Sequence, residues 1–140
     1  LLSRNIIYLQ DSAVDVDGLT FYGSPWQPRF FDWAFNLQRG PQLAEKWAKI
    51  PLDTNVLITH GPPFGILDEV PNRFGTENTG CEDLRERIAT LREFGGLKLH
   101  VFGHIHCGYG MLQENGVTYV NASTCDEAYK PLQAPIVVDL

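Results

Sequence analysis

Three of the four histidines in this 140-residue chain stand where a short apolar run meets glycine, in Thr59-His60-Gly61-Pro62-Pro63 and in Gly103-His104-Ile105-His106. Neutral imidazole nitrogen is a borderline ligand that suits zinc, manganese, iron, nickel and copper. If the two runs are strands whose carboxyl ends lie side by side, residues 44 apart in the chain meet at one point, which is where ligands bind in open α/β sheets. The glycines allow the backbone to turn sharply and to aim the rings. Taken singly, each histidine reads first as a hydrogen-bond donor at a strand end, and it is the three together that point to a metal; His100, inside an apolar run, reads as a core histidine. Cys107 abuts His106 as a possible soft ligand, but His-x-His-Cys lacks a four-ligand spacing.

The elements that must position these residues follow from hydropathy period. Asn5–Leu9 and Leu19–Gly23 read as two strands of a hairpin turned at Asp17-Gly18. Residues 24–40 carry Trp26, Phe30, Phe31, Trp33 and Phe35 among prolines, a loop with a short helical segment whose aromatics pack inward or line a cleft. Leu43, Trp47 and Ile50 recur at helical spacing up to Pro51, and Asn55–Thr59 is a strand buried on both faces. Residues 61–80 form a long irregular loop. Thr79-x-x-Glu82 resembles a capping box for a helix through Leu84, Ile88 and Leu91. Leu97–Phe102 is the next strand, followed by Gly110–Leu112, a turn at Asn115-Gly116, Val117–Asn121 and Ile136–Val138. The order implies one domain over residues 1–140, α/β in class with a mixed sheet.

Composition bounds the function. With 44% hydrophobic and 20% charged residues the chain is globular, and eleven Lys and Arg against seventeen Asp and Glu leave a charge of -6. That field repels a nucleic acid duplex and anionic lipid. No apolar run approaches the roughly 20 residues needed to span a bilayer, and no signal-like segment opens the chain, so no membrane partner and a cytoplasmic location are expected. Three cysteines, Cys81, Cys107 and Cys125, favour reduced thiols over a disulfide framework.

Thr59-His60-Gly61-Pro62-Pro63, Gly103-His104-Ile105-His106 and Tyr119-Val120-Asn121-Ala122-Ser123 together resemble the C-terminal half of the calcineurin-like metallophosphoesterases. Phe21-Tyr22-Gly23-Ser24-Pro25-Trp26 and Gly108-Tyr109-Gly110 resemble most the metallophosphoesterase-domain-containing proteins of animals. The resemblance runs over the whole chain. It implies part of a four-layer αββα sandwich and a phosphodiesterase-like hydrolase in which two divalent ions, manganese, iron or zinc, activate a hydroxide that attacks phosphorus. Two ions about 3.5 to 4 Å apart clamp both attacking and leaving oxygens. It implies His60 and His104 as ligands of the second ion and His106 of the first, with a small phosphodiester or nucleotide as substrate. Phe64 and Tyr109 could stack on a base or pack beneath their loops, and Asn121, in a position near the site in that family, is a substrate-binding candidate. Arg73 could meet phosphate or be solvated.

The family's Asp-x-His, Gly-Asp-x-x-Asp and Gly-Asn-His motifs do not occur in these residues, and Asp15-x-Asp17 lies in a turn. The remaining ligands are therefore expected upstream of this chain. The 140 residues alone should bind one ion weakly or none, assign no catalytic acid or base, and be inactive. The alternative is a metal-binding or scaffold module that lost the dinuclear centre. Half a sandwich also leaves an apolar face open, which predicts a homodimer.

Overall fold

Asp17 and Gly18 both take positive φ, 50° and 80°, the turn geometry whose twist matches a tight hairpin. The computed structural model describes residues 5–140. With only two residues at the turn, Val16 must pair Leu19, so the hairpin joins β1 (Ser12–Val16) to β2 (Leu19–Ser24). This corrects the expected first strand at Asn5–Leu9, because the turn, not the apolar run, sets the register. Leu9 instead lies over Gly23, where a Cβ would stand 2.4 Å from the Leu9 Cβ.

Between β2 and the first helix, β3 (Gln27–Pro28) and β4 (Asn36–Leu37) form a short parallel ribbon in place of the expected helical segment. Proline at the first helical position opens α1 (Pro41–Ala48), which buries Leu43 and Trp47. Next comes β5 (Val56–Thr59). The loop that follows is not structureless, since β6 (Glu69–Asn72) and β7 (Gly75–Asn78) pair as a hairpin. The buried Asp68 carboxylate holds the base of that hairpin by accepting from the Gly65 and Gly80 N–H groups and the Asn78 amide.

Helix α2 (Glu82–Phe94) buries Leu84, Ile88 and Leu91. The expected capping box does not form. Cys81 is the N-cap, and the Thr79 hydroxyl donates to the Asp68 carbonyl, so the loop takes the side chain that the helix end would have used. Then follow β8 (Leu99–Phe102), a 3-10 turn (His106–Gly108), β9 (Gly110–Glu114) and β10 (Val117–Asn121). Asn115 and Gly116, both at positive φ, make the second tight hairpin.

The six-stranded sheet runs β1-β2-β5-β8-β10-β9, with parallel pairing from β2 through β10 and an antiparallel strand at each edge. Both helices pack on one face, where Leu43, Trp47, Leu84, Ile88 and Leu91 meet Tyr22, Leu57, Phe102 and Tyr119. The opposite face holds Val56, Leu99 and Val120, with Phe21, Val101, Ile136 and Val138 against them. Residues 136–138 are not the expected strand, because they lie across this face, where the sheet offers no unpaired ladder groups. Among the described residues the two helices and the six-stranded sheet form two layers; the resemblance implied part of a four-layer sandwich, and the described residues form no second large sheet. No described helix is long and apolar enough to cross a membrane.

Candidate metal centre

Parallel pairing of β5 with β8, Ile58 opposite Val101, brings the two chain segments that carry histidine to the same edge of the sheet. A backbone hydrogen bond from the Gly103 N–H to the His60 carbonyl, 3.0 Å, stitches the strand ends together. Beyond it the Ile105 N–H donates to the Gly103 carbonyl across His104, which sits at φ 70°. A γ-turn at positive φ is a strained conformation for a residue with a Cβ. Its effect is to swing the His104 ring toward His60. His60 Nε2 and His104 Nδ1 stand 3.2 Å apart, with ring centroids 4.7 Å apart.

Two imidazole nitrogens bound to one tetrahedral zinc at about 2.0–2.1 Å are about 3.3 Å from each other. The observed separation fits that. For the two nitrogens to share a hydrogen bond one ring must donate and the other accept, so at least one is neutral. Burial pushes the His60 imidazole below its ordinary pKa. His104 is pushed down to about 4, by burial first and then by the neighbouring His60 and His106 rings. Both rings are therefore neutral at pH 7, the form that ligates.

His106 opens the 3-10 turn and lines the same cleft, of about 500 Å³, as His60 and His104. Its Nδ1 lies 2.9 Å from the Asp126 carbonyl, an oxygen that only accepts, so Nδ1 carries a proton and Nε2 is the nitrogen free to act as a ligand in the neutral ring. Orientation of His106 by a backbone carbonyl was invisible in the sequence, because Asp126 lies 20 residues on in an irregular stretch. Even so, among the described residues no group of three or more His, Cys, Asp or Glu is disposed to hold a metal ion. The anticipated meeting of three imidazoles is realised as a touching pair with a third ring in the same cleft. Glu127 is the one acidic residue lining that cleft.

The other candidates fall elsewhere. Asn121 is wholly buried beneath the histidine loop: its amide donates to the Ile105 and Leu67 carbonyls, and its oxygen accepts from the Ser123 N–H and hydroxyl. Every hydrogen-bonding position is used, so it braces the loop and presents nothing to a substrate. Tyr109 donates its hydroxyl to the Ala134 carbonyl and lines a separate depression with Gly65 and Asp68. Phe64 is exposed, and its backbone N–H is held by the Cys81 carbonyl. Arg73 sits at the tip of the β6–β7 hairpin, its guanidinium over the exposed Phe74 ring. His100 donates from Nε2 to the Thr59 hydroxyl, which itself donates to the Gly61 carbonyl, and so tethers the turn that carries His60. All three cysteines are free thiols, with Cys81 buried and Cys107 exposed.

The residues that the histidine pattern did not reveal are aromatic. Phe30 and Trp33 stand nearly perpendicular to His104, at 5.1 and 6.2 Å between centroids, and Tyr129 stands against His106 at 5.2 Å. Of the aromatics in residues 24–40, Trp26 packs against the core, together with Leu37.

The chain is 52% identical over 139 residues, 99% of its length, to metallophosphoesterase domain-containing protein 1 of Homo sapiens, and equally to that of Mus musculus. It is 40% identical over 139 residues to a UPF0046 protein of Caenorhabditis elegans. The chain spans 41% of the length of the first two relatives and 34% of the third. One solved structure aligns with a TM-score of 0.57 at 20% identity, over 82% of this chain and 45% of that one, which shows a shared fold. No family model matches. The relationship agrees with the one the sequence motifs carry.

Proposed function

We propose that this homologue of the metallophosphoesterase domain-containing proteins supplies the histidine half of a divalent-metal centre that hydrolyses phosphoric esters. The observation that carries the reading is the 3.2 Å contact of His60 Nε2 with His104 Nδ1 at the ends of adjacent parallel strands. A divalent ion there would supply Lewis acidity to a phosphoryl oxygen and lower the pKa of a bound water. His60 and His104 would hold it as neutral donors, and His106, its Nδ1 tied to the Asp126 carbonyl, would offer Nε2 to a second ion. Glu127 lines the cleft with these rings, but the described residues form no group of three or more metal-ligating side chains and do not by themselves complete a two-ion site.

That same shortage favours a second reading, a metal-binding module without turnover. Cobalt titrated into the protein separates the two from a purely structural histidine pair. One ion per chain is expected at the pair, with binding lost in His60→Ala and in His104→Ala. Full retention in both variants refutes the site. The 140 residues alone should not turn over an aryl phosphodiester with manganese. In a polypeptide of the relatives' full length, His104→Ala should lower kcat by about a hundredfold or more if the hydrolase reading holds, whereas the module reading requires no turnover from the parent.

A further inference from the structure

Strand β8 reads Leu-His-Val-Phe, and His100 within it is wholly inaccessible, with no partner for Nδ1. A buried polar atom left without a hydrogen bond is a net cost to folding, and an apolar residue of similar size would escape it. The bond the ring does make is at Nε2. Thr59 has one hydroxyl proton and gives it to the Gly61 carbonyl at 2.8 Å, so its oxygen receives the His100 Nε2–H, also at 2.8 Å. That fixes the His100 tautomer and leaves Nδ1 as the bare lone pair. The ring is packed between Phe102 and Tyr119, at 4.8 and 6.0 Å between centroids.

This chain of two bonds ends at the candidate metal pair. Gly61 directly follows His60, and a Cβ on Gly61 would lie 3.7 Å from His104 Cδ2 and 4.0 Å from His104 Cβ, so the His104 side chain rests against the Gly61 backbone. The His60 carbonyl is tied separately, by the Gly103 N–H at 3.0 Å. Two successive carbonyls of the turn are thus fixed, the first by the end of β8 and the second by the buried relay. A displacement of Gly61 moves His60 through the chain and His104 through contact.

From this geometry we infer that His100 and Thr59 are positioning residues for the metal pair: through the Gly61 carbonyl they set the separation of the His60 and His104 rings, and with it the affinity of the pair for a divalent ion. The affinity part of this inference rests on the reading in the preceding section; the setting of the ring geometry does not. Neither residue reaches the ion. The demand on the relay is strict, because two imidazole nitrogens share a tetrahedral ion only near the 3.2 Å at which they stand. A ligand set displaced by more than about 0.5 Å no longer holds its metal well.

Two substitutions break the relay and two conserve it. Thr59→Val removes the hydroxyl from a side chain of the same shape, and His100→Leu removes the donor. Thr59→Ser keeps the hydroxyl, and His100→Gln carries an amide N–H to the neighbourhood of Nε2. Cobalt affinity, read from visible absorption, should fall about tenfold in Thr59→Val and in His100→Leu, the lower end of what loss of an outer hydrogen-bond partner costs a metal site. It should return to within about threefold of native in Thr59→Ser and His100→Gln, which a loss of core packing alone would not produce. In the metal-free protein the ring nitrogen NMR signals of His60 and His104 should move in the two breaking variants and stay in the two conserving ones. Urea melts place all four on one stability scale, and an affinity that tracks stability instead of the hydroxyl and the donor overturns the inference. Native affinity in both breaking variants overturns it as well. If one breaking variant does not fold, the other decides, measured against its conserving counterpart. If the native protein takes up no cobalt, the metal reading fails and the ring signals decide alone: moved in the breaking variants they uphold the positioning role, and unmoved they overturn it.

Discussion

His100 shows what a single buried ring does to this protein. It is wholly inaccessible, its Nδ1 has no partner, and burial pushes its pKa down to about 3. In the unfolded chain the same imidazole takes a proton near pH 6.5. Between those values the unfolded state binds the extra proton, so the contribution of His100 to stability is complete above pH 6.5 and is lost as pH falls toward 3. Urea melts between pH 7 and 4 should show a fall on the order of 3 kcal/mol for the native chain relative to His100→Leu. Parallel curves would assign the acid sensitivity elsewhere. At the candidate site, legibility was uneven at this scale. His60, His104 and His106 could be picked out by residue type and by the glycines around them. Asp126, which orients His106, acts through its backbone carbonyl, a group every residue has, so no residue type could announce it.

At the scale of elements, the loop from Gly103 to Gly108 depends on what lies beneath it. Asn121→Ala would leave the Ile105 carbonyl without its 2.8 Å donor and free the Ser123 hydroxyl, costing about 1–3 kcal/mol in a denaturant melt and loosening the His60–His104 contact. A cobalt affinity that falls along with stability would show the brace acting on the site. Gly108 is constrained by space, since a Cβ there would lie 2.0 Å from the Leu67 carbonyl oxygen. Gly108→Ala should therefore displace the 3-10 turn and cost about 1–3 kcal/mol, whereas Gly40→Ala, with nothing near a Cβ, is strained by its φ of 84° alone. The parallel strands and both helices were legible because period and apolar runs report burial directly. The first strand and the segment at Ile136–Val138 were both read as strands from their apolar runs. Apolarity by itself specifies neither pairing nor burial: Ile136 and Val138 cross the sheet face, and Ile6, Ile7 and Tyr8 stay exposed.

For the whole molecule, the face opposite the helices is only partly covered. Ile136 and Val138 pack on it, while Ile58 is 40% exposed at its centre and Val16 is exposed near the edge. An apolar sheet face of this kind drives association, against which a charge of -6 offers modest repulsion. Light scattering of the 15.8 kDa chain should give more than the monomer mass, and Ile58→Glu should return it toward one chain per particle. A monomer at tens of micromolar would show that the C-terminal segment suffices as cover. What the sequence by itself determined was the chemistry on offer: imidazoles at strand ends, a mixed α/β order, an acidic surface and the metallophosphoesterase likeness. These are properties of residue type and local spacing. What only the tertiary structure decided was which groups meet, namely the 3.2 Å pairing of His60 with His104, the withdrawal of Asn121 and Tyr109 from the cleft, and the aromatic walls beside it. Contacts between residues tens of positions apart depend on strand register and on the sign of φ at a turn, and neither quantity is written in any one stretch of chain.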